Sequence, residues 1–514
     1  MRPILNPEKM KAADNRTSEF FGLKAEVLME RAALHVADCA SQLCENGNKM
    51  LLIAGPGNNG ADAVAAFRIL KQRGHCVDLY VVPSDKYSPL MEMQRDIVIR
   101  YGYTINNTLT NCEYDIIVDG LFGIGINRPI ELKYEEIIKY INESGAKVIS
   151  VDIASGLNAD TGVTMGCAVK ADITVTFNYM KTGMVTSNGL LYSGDIRVCD
   201  IGITEEAIDE MPDTYMSERK DIVLPVRKRN VNKGSCGKLV IIAGDSRICG
   251  AMVLCAKAAM RVGAGMVKVI THRNNKATLE TMLPDALTYY YDNVDVLDRN
   301  EIIEECAWGD AVLIGPGLGK SDTASSLLEV VINDFRLPLV IDADGINMLA
   351  ENRLLYGKLC GMAGRGVVLT PHLKEFERLT GASLNVIKEN IYKYVRDYCK
   401  QNPFTVVVKD AVTLIADSDR ILVNPTGNQA LAKAGTGDVL AGMIAGILVQ
   451  KIKSASAKSG FDEDVNDYMK DAAKCGVYLH GYIADKLVKE AANNYYSLMA
   501  SDLCEAIKSV LGEF

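Results

Sequence analysis

The sequence is short of the patterns that mark several large classes of protein. It has one tryptophan and five histidines in 514 residues, and the histidines (35, 75, 272, 372 and 480) are too scattered to form a zinc site with any cysteine pair. Fourteen cysteines are present, yet no two stand in a CxxC spacing. A disulfide framework is not expected in so long a chain without a secretion signal, so the cysteines read as small buried hydrophobes in a reducing cytosol. The opening MRPILNPEKMKAAD has no apolar signal core. Long apolar runs are also missing. The longest, residues 439–449, is interrupted by Gly442 and Gly446 and falls short of the ~20 residues a bilayer span needs. A buried helix with close packing at its glycines is expected there, and a cytoplasmic protein without membrane contact. Positive charge is not in excess: Lys and Arg total 56 against 65 Asp and Glu, for a net charge of -9. That excludes a broad nucleic-acid surface, which works by displacing counterions with basic groups. It leaves room for a small nucleotide site built from backbone N–H groups.

What is present is a repeating βα pattern, on a chain too long for one ordinary core. Apolar runs at 49–55, 76–82, 114–123, 146–156 and 171–177 read as strands, with a helix at 61–74 ended by Gly74. Near-continuous apolar strands separated by helices predict a parallel sheet covered on both faces. The polar stretch 204–230 has no sustained period and holds the expected domain boundary. The pattern then restarts at 238–244 with a small-residue helix at 251–265. Strands follow at 266–270, 310–315, 338–344, 366–370, 404–409 and 412–416, and a glycine-rich turn at 434–438 opens the apolar helix. Both halves are therefore expected to be α/β.

The loop Gly55-Pro56-Gly57-Asn58-Asn59-Gly60 satisfies the dinucleotide fingerprint, and Asp78 follows at about the required distance. Glycine is favoured in any βα turn, so the match is weak. Asn58 and Asn59 put two carboxamides where a bare phosphate cradle needs none, and Asp62 is expected in the first helical turn, where it would repel a pyrophosphate. Carboxamides beside a carboxylate suit a neutral ring or a cation; turn and capping roles are the plainer alternative. Asp119, Asp152 and Ser155 stand at strand ends, which converge on one crevice in a parallel sheet. Asn59, Asp119 and Ser155 can then offer hard oxygens to one monovalent cation, with Asp152 as an acid–base group beside it.

In the second half, Gly435-Thr436-Gly437-Asp438 opens a helix. Glycines let backbone N–H groups approach a phosphoryl group, and Asp438 can accept the proton of an attacking hydroxyl. A helix cap is the plainer reading. Thr370-Pro371-His372 follows a strand, with Glu375 a turn on. Lys409, Asp410, Ala411, Val412 and Thr413 join two strands, either as a nucleotide-gripping loop or as a simple hairpin. Gly315 to Ser321 imitates a Walker A loop but has three residues between its glycines instead of four, so it reads as a strand-to-loop turn.

Taken in order, GPGNNG-x-D, VDGLFGIG and VDIxSGLNADTG resemble the N-terminal domain of the bifunctional NAD(P)H-hydrate repair enzymes, over residues 1–216. NKGSCGKLVIIAGDSRICGA, IGPGLG, VIDADGIN, LTPHLKEFERL and the segment ending in GTGDVLAGMIAG resemble the dehydratase domain of the same family, over 225–514, with 217–224 as linker. The resemblance implies a Rossmann-like parallel-sheet domain followed by a larger ribokinase-like α/β domain. It implies epimerisation of R and S hydrates of NADH and NADPH, then dehydration of the S epimer with ADP converted to AMP and phosphate. Asn58, Asn59, Gly60, Ala61, Asp62, Gly123, Ile124, Gly125, Ile126, Asn127, Arg128, Pro129 and Asp152 would hold the epimerase substrate, with Asp152 catalytic. Asn59, Asp119 and Ser155 would bind potassium. Ala251, Gly317, His372 and Asp438 would meet the dehydratase substrate, with Asp438 the base. Lys409, Asp410, Ala411, Val412, Thr413 and Gly437 would meet ADP, accompanied by magnesium.

Small-molecule substrates are thus the expected partners, and a homo-oligomer the expected assembly. The family loop NNGGDG is NNGADA here, the proline before Ser155 is Ala154, and KGAGT is KDAVT. Two other readings remain at this stage: a small-molecule kinase with a non-catalytic first domain, and a scaffold that keeps the fold without the chemistry.

Overall fold

The computed structural model describes residues 1–45, 47–109, 112–292, 298–362, 364–456 and 465–514. The chain divides into two compact units: Arg2–Thr214, and Tyr215–Phe514 together with Met1.

In the first unit six strands form a parallel sheet: β1 (Lys49–Ala54), β2 (Cys76–Val81), β3 (Ile116–Gly120), β4 (Lys147–Val151), β5 (Ile173–Phe177) and β6 (Asp195–Cys199). Their order is β2-β1-β3-β4-β5-β6, every pair parallel. The apolar runs are continuous because both faces are buried. Met50, Leu52 and Ala54 enter one core, whereas Leu51 and Ile53 enter the other. Helices α1 (Pro7–Glu19), α2 (Ala25–Leu43) and α3 (Asn58–Gln72) contribute to the first of these cores.

Helix α3 begins three residues earlier than the apolar pattern predicts. Gly57 is its extended N-cap (φ -91°, ψ -169°), so the Asn58-Asn59 pair forms the first turn. Asp62 therefore stands in the second turn, not the first, which corrects the expectation from the pattern. A Cβ on Gly60 would lie 1.9 Å from the Gly55 carbonyl oxygen, so only glycine fits that crossing. Ala61 and Ala63 are fully buried in the core, and neither has positive φ. Alanine at these two places is thus a core-packing choice that costs the backbone nothing. Ala63→Gly is expected to lower the melting temperature, at about 1 kcal/mol for glycine inside a helix, without speeding turnover in this unit. A faster variant would show that the loop departure matters to chemistry.

The second unit holds β7 (Lys238–Ile242), β8 (Met266–His272), β9 (Leu287–Tyr291), β10 (Ala311–Ile314), β11 (Leu339–Ile341), β12 (Val367–Leu369), β13 (Thr405–Val408), β14 (Leu414–Ala416) and β15 (Ile421–Val423). They run in the order β9-β8-β7-β10-β11-β12-β13-β14-β15, parallel as far as β13 and antiparallel through the last two pairings. Helices α4 (Gly250–Arg261), α5 (Leu373–Thr380), α6 (Thr436–Ser456) and α7 (Val465–Glu490) belong to this unit. The apolar stretch of α6 is buried. Its two glycines lie on the α4 backbone: Cβ atoms would fall 2.1 Å from the Cys255 oxygen at Gly442 and 2.7 Å from the Ala259 oxygen at Gly446. No helix among the described residues is long and apolar enough to cross a membrane.

Candidate active sites

The carboxyl ends of β1, β3, β4 and β5 open onto a cavity of about 810 Å³ in the first unit. Asn58, Asn59, Asp62 and Asp152 line it, as do Gly123, Ile124, Gly125, Ile126, Asn127, Arg128 and Pro129. Gly60 and Ala61 are not in its wall; they face the helix–sheet contact instead.

Asp152 sits just past β4 in the left-handed region (φ 65°), a conformation that costs most residues energy and that Asp tolerates comparatively well. Its carboxylate is ion-paired with Lys181 and accepts from Thr176 Oγ1 at 3.2 Å. Lys181 is fully buried and also donates to Thr176 Oγ1 at 2.7 Å. Two further acids line the same cavity. Asp62 is raised well above the usual carboxylate range by burial, then by the charges of Asp152 and Asp14. Asp14 of α1 is raised too, by desolvation first and by Asp152 second, with Lys181 acting the other way.

Asn59, Asp119 and Ser155 meet beneath this cavity. Asp119 is completely buried. Its Oδ1 accepts from Ser155 Oγ at 2.6 Å and Leu121 N at 3.2 Å, and its Oδ2 from Ser150 Oγ at 2.8 Å and Ser155 N at 2.9 Å. Asn59 Nδ2 donates to the Phe122 carbonyl at 2.9 Å, and Ser155 Oγ lies 3.2 Å from that same oxygen. Burial raises the Asp119 carboxyl while these hydrogen bonds hold it down.

The second site surrounds the first turn of α6. Gly435 has φ +91° and Asp438 stands in the first helical turn. Burial pushes Asp438 up to about 7; Asp342 and Asp344 add to this and Lys409 opposes it. Lys409 donates to Asp342 Oδ1 at 2.8 Å, and a Cβ on Gly437 would lie 3.4 Å from Lys409 Nζ. Desolvation pulls Lys409 down, but Asp342 and Glu375 outweigh it and hold the ammonium above its ordinary value. Asp342 is buried and also accepts from Thr370 Oγ1 at 2.6 Å.

His372 caps α5 through its Nδ1, which accepts from Lys374 N and Glu375 N, and its side chain remains half exposed. Desolvation and Lys409 lower its pKa, and burial raises Glu375 to about 7. Gly317 (φ +58°) lies against Ala251, so close that a Cβ would stand 3.0 Å from the alanine Cβ. Asp410 and Ala411 are exposed at the tip of the β13–β14 hairpin, whereas Val412 turns inward and Thr413 is partly buried. The glycine turn at Gly315 to Gly319 follows β10, and Gly319 N donates to Asp344 Oδ2 at 2.9 Å.

Sequence reasoning passed over Lys181, Asp14, Asp342 and Asp344. The last two stand in the quoted VIDADGIN run at a strand end, where their position was a usable signal. Lys181 offered only a lysine inside an apolar segment, and Asp14 offered none.

An acid–base cleft in one parallel-sheet unit, and a helix-opening glycine turn with a paired acid and lysine in another, define a two-domain α/β enzyme with two separate sites. The NAD(P)H-hydrate dehydratase profile matches residues 239–509, and the YjeF-related protein N-terminus profile matches 25–183. A bifunctional NAD(P)H-hydrate repair enzyme of Thermofilum pendens is 31% identical over 99% of this chain and 98% of its own length. Its counterpart from Coxiella burnetii is 32% identical over 88% of each chain. A Bacillus subtilis structure titled as an ADP/ATP-dependent NAD(P)H-hydrate dehydratase co-crystallised with ATP/Mg2+ is 28% identical, covering 57% of this chain and 95% of that one, with a TM-score of 0.45. The chain belongs to the family of bifunctional NAD(P)H-hydrate repair enzymes, with a Rossmann-like first domain and a ribokinase-like second.

Proposed function

We propose that the chain repairs hydrated NADH and NADPH. Residues 1–216 act as epimerase, 217–224 as linker and 225–514 as the S-specific dehydratase. The observation that carries this reading is Asp438, a carboxyl raised to about 7 in the first turn of a glycine-opened helix beside Lys409.

In the second domain the Asp438 carboxylate takes the proton of the C6 hydroxyl. That oxygen attacks the terminal phosphoryl group of ADP, and AMP leaves. Lys409, Gly437 and the free N–H groups of the first α6 turn compensate the charge on the transferring group. Phosphate then departs from C6 as C5 gives up a proton, which restores the ring double bond. Gly317, Ala251 and His372 form the substrate wall, and the hairpin residues Lys409, Asp410, Ala411, Val412 and Thr413 flank the nucleotide. No three acidic, His or Cys side chains cluster as metal ligands among the described residues, so magnesium would rely on the phosphates for much of its shell. When bound, it would supply neutralisation of phosphate charge, and Asp342 and Asp344, whose charges bear on Asp438, would help hold it.

In the first domain Asp152, held by Lys181, serves as the acid–base group of epimerisation at C6. The buried Asp119 has four hydrogen bonds but no cationic side chain among the described residues. Such a charge fits a potassium ion held by oxygens of Asn59, Asp119 and Ser155. The fourteen free thiols suit a reducing cytosol, and a homo-oligomer is the proposed assembly.

The test is recovery of absorbance at 340 nm from a defined R/S mixture of NADH hydrate, with magnesium and either ADP or ATP. Complete recovery with ADP is expected, and potassium should speed the R fraction. Recovery of the S fraction alone would make the first domain a binding module. No recovery with either nucleotide would bring the small-molecule kinase reading forward.

A further inference from the structure

The epimerase cleft contains carboxyl groups in different surroundings, and this difference suggests a division of labour. Asp152 has a buried lysine and a threonine hydroxyl on its carboxylate. The Asp62 side chain lines the same cavity, but its carboxyl group makes no hydrogen bond or ion pair among the described residues. We propose that Asp62 is the proton donor of the epimerase, acting as a neutral acid on the ring while Asp152 acts as the base. This rests on the reading of the cleft as the epimerase site.

The environments agree with these roles. Desolvation and neighbouring like charge favour the protonated form of a carboxyl group. The charges that bear on Asp62 are those of Asp152 and of Asp14 on α1. Lys181 is turned onto Asp152 instead. Two acids in one cleft, one paired with a buried ammonium and one desolvated without a partner, can divide the base and acid roles.

The substrate provides a use for both. Its C6 carries a hydroxyl and is bonded to the ring nitrogen N1, so it is a hemiaminal carbon. Asp152 takes the hydroxyl proton and the C6–N1 bond breaks. Its electron pair moves to N1, which Asp62 protonates, while C6 becomes an aldehyde. Rotation about C5–C6 presents the other face of the aldehyde. N1 attacks that face, its proton returns to Asp62, and Asp152 returns its proton to the oxygen. The product is the opposite epimer, both acids end as they began, and no oxidant, reductant or second substrate is consumed.

The experiment uses the full-length chain with D62N, D62E and D152N, following R-to-S conversion by resolving the two hydrates. ADP-dependent dehydration of the S epimer and a melting curve report that each variant is folded. D62N is expected to lose about 100-fold or more in kcat with KM little changed, within the range of general acid catalysis, while D62E retains more kcat than D62N. A folded D62N with normal kcat, or with only a raised KM, overturns the proposal and leaves Asp62 a binding residue. A proton inventory on the unmodified enzyme in H2O/D2O mixtures needs no variant. A curved, two-proton dependence is expected, and a linear one overturns the proposal even if D62N does not fold. Loss of epimerisation in D152N but not in D62N defeats this proposal alone; normal epimerisation in D152N defeats the reading of the cleft itself.

Discussion

Asp438→Asn is expected to abolish dehydration and leave epimerisation intact. Asparagine has nearly the same shape, and the ion pair of Lys409 with Asp342 at 2.8 Å does not involve position 438, so the site should keep its form. What disappears is the group proposed to accept the hydroxyl proton. General-base removal of this kind costs about 10²–10⁴ in rate, and the expected result is no ADP-dependent gain at 340 nm above background, with R and S hydrates still interconverting. The pH dependence of the unmodified enzyme has a definite sign. The base form of Asp438 is the carboxylate, and its pKa is raised to about 7. Dehydration at subsaturating substrate should therefore fall as pH drops through about 7 and level off above it. A flat profile from pH 6 to 8 would place the rate-limiting proton elsewhere. Loss of both activities in the variant would mean that the two domains are energetically linked.

Asp152→Asn is expected to confine repair to the S epimer. Asparagine enters the left-handed region as readily as aspartate does, so the φ of 65° is not an obstacle. Its carboxamide oxygen still accepts from Lys181, but the buried ammonium loses its counter-charge. A stability cost of about 1–3 kcal/mol is expected from that mismatch, visible as a lower melting temperature of the first unit. The larger effect is on rate, a fall of about 10²–10⁴ in conversion of the R hydrate. The decisive measurement is the plateau of the 340 nm recovery, which should stop at the S fraction of the starting mixture apart from slow spontaneous epimerisation. Full recovery at the normal rate would remove Asp152 from the chemistry.

The central strands of both units were legible because they are buried on both sides and show as unbroken apolar runs, as at residues 49–55 and 238–244, whereas β6 and β9, partly exposed and polar or aromatic, and the three-residue β15 gave no such run and were missed. The glycine turns were legible too, since Gly435 and Gly317 need positive φ and Gly60 needs the missing Cβ. The start of α3 was not, because Gly57 and Asn58 look like loop residues until the turn they cap is seen. Lys181 was hidden for a different reason. Its importance comes from a partner 29 residues away across a strand crossover, and no local pattern reports such a contact. The same holds for Asp14, which reaches the cleft from a helix outside every motif. Ala61 and Ala63 show the reverse error: a departure from the family loop draws attention, yet both methyl groups point into the core.

The seating of α6 on α4 has a consequence for how the dehydratase can be tuned. The notches at Gly442 and Gly446 bring one helix against the carbonyls of the other, so neither can slide or roll without a backbone collision. Asp438 stands at the head of one rod and Ala251 at the head of the other. The gap between the proposed base and the proposed substrate wall is therefore fixed by the single hydrogen side chains of two glycines about one and two turns away, like a jaw whose opening is set at the hinge. Altering that gap for a bulkier substrate would require repacking deep in the core, whereas the tip at Asp410 and Ala411 is exposed and lies outside that contact.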